Sequence, residues 1–503
     1  MIAIFVERSL ELAVLALIAF PLARLATDQG VRRRFQAFPH VQAAIAGSLA
    51  IYVCIVAIIA CAQPVALRPA ALAALVLLIL ERWQARAEHG LDRGLPSGSL
   101  AFMQLAPWRD PQFYLKQAAQ HGPVFKFRHF VYPAIGIVGL ERAAEFLESN
   151  DENLLVPPAP FNGLVPGGFV RFLSAERHRD VASALRAAVT PAVVEECKET
   201  LATEAKVALQ TLAADPSGKS DPIPVLDRMV LHILMRCFFG ISPGAALDRL
   251  ERHYRIADYR RLARTGRSRA VAAVFDILGE LRASALELHQ ESLAGRKSFL
   301  NELRRVCPDA LEDDELMANF VYMLHTARVD VVGLLAWLLV KLAENPLWVA
   351  QLASELDADP ETALRPGGLA DRLVRETLRL EQSEFLLRRV KRPIRWDGLN
   401  IPSGWYVRVC VHESHRSSEI FDRPDEFDPD RFLHPTSRTQ YSPFGLAPRI
   451  CPGAHFTRTI GRHLAAELAT SHSVQVRDVA PLEFSGFHWR PSSRLRVSLQ
   501  ARE

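Results

Sequence analysis

Residues 441–456 read YSPFGLAPRICPGAHF, and their spacing sets Cys451 apart from an ordinary core cysteine. Arg449 lies two residues before it and Phe444 seven before it, while Pro452 and Gly453 follow directly. A helical pattern then runs from about Gly453 to Leu468. A cysteine in this place has a helix N-terminus behind it, where the dipole favours negative charge. Phe444 is spaced to lie over the sulfur, and Arg449 to reach an anion on the same side. A deprotonated thiol is a strong, soft metal ligand that needs such donors and shielding. Burial in a core is the commoner fate of a single cysteine. The neighbours of Cys451 argue against it.

The chain has 503 residues, enough for one large domain plus an appendage. Its 7 cysteines are scattered at positions 54, 61, 197, 237, 307, 410 and 451. No CxxC pair or zinc-type spacing occurs, so a reducing compartment fits better than a disulfide framework. Sixty basic against 56 acidic residues leave a net charge of +4, which calls for no nucleic acid. Only 8 of the 60 basic residues are lysine, a bias that reads as a GC-rich, bacterial type of codon usage.

The front of the chain reads as a membrane device over residues 1–87. Ala43–Ala62 is 20 residues without a charge, long enough to span a bilayer as a helix. Leu10–Leu25 and Pro64–Leu80 are weaker segments, so one to three spans are expected. Arginines 24, 32, 33 and 34, and then 82 and 86, flank these segments. Arginine-rich flanks stay cytoplasmic, which puts the bulk of the chain on that side. Residues 88–100, EHGLDRGLPSGSL, read as a linker, and residues 101–503 as the large domain.

Within that domain, HGPVFKF (121–127) and AIGIVG (134–139) read as short strands, and Glu141–Ser149 as helix. Residues 176–213 and 225–300 carry helical periodicity. Asp313–Ala343 is the longest helical candidate, with acidic residues 313–315 in its first turn and Pro346 as its stop. Its centre holds His325, Arg328 and Asp330, too costly for a membrane span, so it is expected to cross the middle of the domain. Ala370–Leu380 follows as helix, then strand-like RPIRW and WYVRVCV.

FGLAPRICPG (444–453) resembles the haem-binding signature of the cytochrome P450 superfamily, Phe-x-x-Gly-x-Arg-x-Cys-x-Gly. Phe444, Arg449, Cys451 and Gly453 match, while Ala447 stands where the family usually has Gly. Glu376-Thr377-Leu378-Arg379 is similar to the family's Glu-x-x-Arg pair, and PDEFDPDRF (424–432) to the segment that supplies a third partner, here Arg431. ERHRDVASALRAAVT (176–190) resembles the helix that meets the haem propionates. His178 matches there; Ala182 stands where many members carry Arg, with Arg179 or Arg186 as substitutes. Arg388 or Arg389 falls near another propionate arginine, and Arg389 is the choice carried forward.

The resemblance implies a mainly α fold with a small β side, haem b with Cys451 as axial ligand, and propionates held by Arg449, His178 and Arg389. It implies Glu376, Arg379 and Arg431 as the lock behind the Cys451 loop. An axial thiolate pushes electron density onto the iron and favours O–O cleavage. The implied activity is insertion of one oxygen atom from dioxygen into a lipophilic substrate. Electrons come from a separate ferredoxin system or flavoprotein reductase. The apolar front end suggests a substrate that partitions to membranes, in lipid or secondary metabolism.

The pattern breaks on the central helix, where the family carries an acid and a threonine for proton delivery. TARVDV (326–331) aligns there and places Asp330 at the Thr or the acid position, so the hydroxyl is absent in either register. Asp330 is therefore expected to deliver protons alone or with a substrate hydroxyl. Arg328 opens a second possibility, a peroxygenase in which it holds a substrate carboxylate. An oxygen-independent isomerase or dehydratase, and a non-catalytic haem binder, complete the alternatives. Arg328 and Asp330 do not face one another at i,i+2, so one of them is expected at the haem cavity or at a partner on another helix.

Overall fold

A computed structural model describes residues 94–502 except 101–106, 108–109, 130–131, 158–166, 216–217, 241–296, 382–384, 447, 481 and 485–488. The expected membrane region and Ala447 lie outside the described residues, as does most of 225–300 beyond residue 240.

Among the described residues the helices of eight or more residues are α1 Phe113–His121, α2 Leu140–Asn150, α3 Ala175–Ala188, α4 Lys198–Ala213, α5 Pro222–Phe239, α6 Phe299–Val306, α7 Asp314–Glu344, α8 Pro346–Ala358, α9 Leu369–Leu380 and α10 Ala454–Ser471. The strands are β1 Val124–His129, β2 Tyr132–Ile137, β3 Leu154–Leu155, β4 Leu386–Val390, β5 Ile394–Trp396, β6 Leu399–Ile401, β7 Tyr406–Val409, β8 His472–Arg477, β9 Glu483–Phe484, β10 Trp489–Arg490 and β11 Arg496–Ala501. The fold is mainly α with a small β side, as expected.

The long central helix is the organising element. Asp313 caps α7 by accepting the Leu316 N–H at 2.9 Å, and Asp314 and Glu315 complement the dipole in its first turn. Val331 to Val340 is buried without interruption, because α7 runs between α5, α9 and α10 and strand β8. Among the described residues it is the one helix long and apolar enough to cross a membrane, and it serves instead as the core.

The main sheet has the order β1-β2-β7-β4-β3. Strand β7 pairs parallel to β2 and antiparallel to β4, bringing chain from both sides of the central helix into one sheet. β4 carried no clear alternation in the sequence, whereas SVQVR (473–477) of β8 and RVSLQ (496–500) of β11 alternate polar and apolar residues. LLRRV sets two arginines side by side, so its buried face shows only in the pairing.

Residues 94–100 are not a free linker. Lys126 N–H donates to the Ser97 carbonyl at 2.9 Å, Asn400 N–H to the Gly94 carbonyl at 2.7 Å, and Arg128 Nε to the Leu100 carbonyl at 2.9 Å. The edge of β1 has unpaired backbone groups, and this segment supplies the partners. Gly98 (φ +135°) allows the approach, since a Cβ there would meet the Lys126 carbonyl oxygen at 2.1 Å. The Gly/Ser composition of residues 94–100 therefore accompanies close packing on the sheet.

Candidate functional site

Glu376 and Arg379, one turn apart on α9, are both fully buried. Arg379 Nε and Nη2 donate to the two Glu376 carboxylate oxygens at 2.7 and 2.8 Å. Arg431 Nε donates to Glu376 Oε1 at 3.0 Å, and the Asp428 N–H to the same oxygen at 2.9 Å. Arg379 also donates to the carbonyls of His415, Pro424 and Glu426 at 2.8, 2.6 and 3.0 Å. Every strong donor of the buried guanidinium thus has an acceptor, the condition under which a buried pair is tolerated. The three residues expected together do meet, and they pin the irregular chain that leads to Cys451.

That chain is held next by His415. Its Nε2 accepts the Ser442 N–H at 2.9 Å, which requires a neutral ring. Burial, and then the charge of Arg379, pushes its pKa down to about 3. Ser442 Oγ donates to the Gly445 carbonyl at 2.6 Å, and Gly445 takes φ +86°. The turn closes where the Cys451 N–H donates to the Phe444 carbonyl at 3.0 Å. Cys451 is exposed at the head of this loop, and α10 begins three residues later with Gly453 as its N-cap. A Cβ on Gly453 would lie 3.8 Å from the Cys451 Sγ. Of the other described cysteines, 197, 237 and 410 are buried and 307 is half-buried.

A cluster of cations gathers on the same side. His178 on α3 is 6% exposed, and its pKa is pushed down to about 4 by burial and then by Arg449, Arg186 and Arg388. Arg449 Nη1 donates to the Arg171 carbonyl at 3.1 Å and Nη2 to the Leu173 carbonyl at 2.8 Å. Its Nε is buried and has no hydrogen-bond partner. Asp151 offsets part of this charge, but burial is the larger effect on Arg449. Three guanidinium groups around an imidazole repel one another until an anion enters, and an orphaned buried donor costs free energy until it finds an acceptor. The donor set fits the two carboxylates of a haem beside an exposed thiol.

One expectation about this cluster is corrected, and one open choice narrows. Arg388, not Arg389, belongs to the cluster. Residues 386, 388 and 390 of β4 share the buried face, while Arg389 lies near Tyr132 and Tyr406 on the other. Side chains alternate along a strand, so one residue of register decides between the two. Of the two arginines near Ala182, Arg186, one turn later, is the one that lies in the cluster. Arg186 Nε donates to the Ala182 carbonyl at 3.1 Å, and its Nη1 reaches the Pro448 carbonyl at 3.3 Å.

The middle of α7 opens just before its buried run. Met323, Thr326, Ala327 and Asp330 share one helical face and are partly or fully exposed. Arg328 points elsewhere, into an ion pair with Asp227 of α5. A partner on another helix was one of the two places expected for Arg328 or Asp330, and this ion pair speaks against the second possibility, in which Arg328 holds a substrate carboxylate. Thr326 was missed. It lies one turn before Asp330 on the open face, and its Oγ donates to the Met323 carbonyl at 3.0 Å. The i,i+4 spacing was the available signal, hidden because alignment looked for the hydroxyl after the acid. Arg490 of β10 ties the C-terminal hairpin to this point by donating to the Val329 carbonyl at 3.2 Å.

Comparison with known proteins agrees with the geometry. The family model for cytochrome P450 matches residues 96–476. Abscisic acid 8'-hydroxylase CYP707A1 of Solanum lycopersicum is 23% identical over 394 residues, 71% of this chain and 81% of that protein. Ent-kaurenoic acid oxidase 1 of Hordeum vulgare is 28% identical over 269 residues, 47% of this chain and 53% of that one. The solved structure of a retinoic acid-bound cyanobacterial CYP120A1 shares the fold with a TM-score of 0.67 at 20% identity, covering 82% of this chain and all of that one.

Proposed function

The chain belongs to the cytochrome P450 family, a monooxygenase with cysteine-ligated haem, and from that premise we propose that Cys451 is the ligand and that the substrate is a lipophilic isoprenoid. The observation that carries the site is that Arg449 and, through the Pro448 carbonyl at 3.3 Å, Arg186 gather at the loop that ends in the exposed Cys451, with His178 and Arg388 in the same cluster. The isoprenoid reading is supported by relatives named for abscisic acid, ent-kaurenoic acid and, in Taxus cuspidata, a taxane.

The haem, when bound, supplies an iron centre that takes electrons singly and activates dioxygen. The chain does the rest. Arg449 Nε, His178 and Arg388 would hold the propionates. Glu376, Arg379 and Arg431 hold the loop that presents the thiolate. The open face of α7 forms the distal wall. There the Asp330 carboxylate would take up a proton from solvent, and the Thr326 hydroxyl, one turn away, would accept that proton while releasing its own into the cavity, having turned off the Met323 carbonyl. Electrons arrive from a separate ferredoxin-type or flavoprotein reductase. Ala43–Ala62 anchors the chain in the membrane with the haem domain on the cytoplasmic side. The Arg328–Asp227 pair supports dioxygen rather than peroxide as the oxidant, since it engages the guanidinium that a peroxygenase would turn to a substrate carboxylate.

Turnover of isoprenoid substrates with a surrogate reductase and dioxygen, run beside hydrogen peroxide, tests this reading. Product with dioxygen is expected, and Asp330→Asn is expected to lower it about 10²-fold while reducing equivalents are lost to peroxide. Product with peroxide alone, indifferent to Asp330, would overturn it.

The cation cluster makes a separate prediction. Arg388→Ala is expected to speed haem loss about tenfold, the consequence of one missing charge-assisted hydrogen bond, and Arg389→Ala to leave it unchanged. Transfer of haem to apomyoglobin measures both rates. Equal effects would mean the register of β4 is not what selects the contact.

A further inference from the structure

Segment 168–173 lies between the central helix and the Cys451 loop, and side chains grip its backbone from both. From α7, Asn319 is fully buried and makes three hydrogen bonds. Its Oδ1 accepts the Val170 N–H at 2.6 Å, and its Nδ2 donates to the Gly168 carbonyl at 3.1 Å and to the Glu315 carbonyl at 2.9 Å. One turn further on, Tyr322 stacks on Phe169 with ring centroids 3.7 Å apart. From the Cys451 loop, Arg449 donates to the carbonyls of Val170, Arg171 and Leu173 at 3.5, 3.1 and 2.8 Å. Val170 is therefore held at its N–H by the distal helix and at its carbonyl by the proximal loop. The segment then runs through Ser174, the N-cap of α3, into the helix that carries His178 and Arg186.

We propose that Asn319 is a positioning residue for the haem site, acting through this strap on Arg449. A guanidinium is planar, so fixing its two terminal nitrogens on three carbonyls fixes the direction of Nε. The carbonyls stay in place only while the backbone that bears them does. Asn319 holds that backbone with an acceptor and a donor at once, a combination a carboxamide has and a carboxylate lacks. The proposal rests on the reading of Arg449 as a propionate ligand.

Haem transfer to apomyoglobin and amide hydrogen exchange on the holoenzyme test it together. Asn319→Ala is expected to raise the haem-loss rate about tenfold and to increase exchange at residues 168–173 and at 446–451. Asn319→Asp, which keeps the acceptor but sets a second carboxylate oxygen against the Gly168 and Glu315 carbonyls, should be at least as damaging as Asn319→Ala. In the double variant with Arg449→Ala, haem loss should not rise beyond the larger single effect, because both act on one contact. Val497→Ala, in β11, serves as a control for general destabilisation. If it speeds haem loss as much at equal loss of thermal stability, or if the Asn319 and Arg449 effects multiply, the positioning role is wrong. If Arg449→Ala alone leaves haem loss unchanged while Asn319→Ala still loosens both segments, the strap stands and the propionate reading falls.

Discussion

Cys451→Ser is expected to abolish the red-shifted Soret band of the reduced carbon-monoxide complex and to lower oxygenation at least about 10³-fold. An alkoxide is a harder and far more basic donor than a thiolate, so serine supplies neither the electron push nor a stable bond to iron. The fold should survive, because Cys451 is exposed at the head of its loop and its backbone N–H, not its sulfur, makes the bond to Phe444. The thermal midpoint of the apoprotein should therefore stay within about 2 °C of wild type, as for other exposed substitutions. Persistence of the red-shifted band in the variant would show that another residue is the ligand. A histidine-like band in well-folded wild type would favour a non-catalytic haem binder.

Glu376→Gln should do the opposite, leaving the ligand in place and taking away the fold around it. The carboxylate accepts from Arg379 twice, from Arg431 and from the Asp428 N–H, in full burial. An amide offers one acceptor oxygen and places an N–H₂ against a guanidinium. Removing one partner of a buried pair costs about 3–5 kcal/mol, a large share of the 5–15 kcal/mol that holds a typical domain together. The expected result is a protein that is mostly haem-free and unfolds at markedly lower urea. Arg379→Lys should be nearly as damaging, since an ammonium cannot make the bidentate contact and reach three carbonyls as well. A Glu376→Gln protein with wild-type haem content and urea midpoint would remove this network from the account of how the loop is held.

Local chemistry was legible in the order of residues wherever short-range geometry dictates it. Glu376 and Arg379 face one another because they are one turn apart on a helix. Cys451 sits before a helix N-terminus because Pro452 and Gly453 are its next residues. The long apolar run from 314 to 344 had no solution but the middle of the domain once its central charges forbade a bilayer. These features made Cys451 a ligand candidate and α7 the core helix, while the fold class came from the resemblance of 444–453 and 376–379 to the cytochrome P450 signatures.

What the order of residues left open was every choice that depends on what comes from far along the chain. Whether Arg388 or Arg389 turns inward was decided by the pairing of β4 with β7. Arg328 was claimed by Asp227, 101 residues away, and Arg186 was carried to Pro448 across 262 residues. The Gly/Ser stretch at 94–100 became packed backbone because β1 had an edge to fill. The sequence by itself determined which groups can do the chemistry, since that follows from residue type and near spacing. Only the tertiary structure decided which of several equivalent arginines and hydroxyls do it. A charged side chain commits to whichever opposite charge or carbonyl the packed chain brings within about 3 Å, and that partner is set by the fold as a whole.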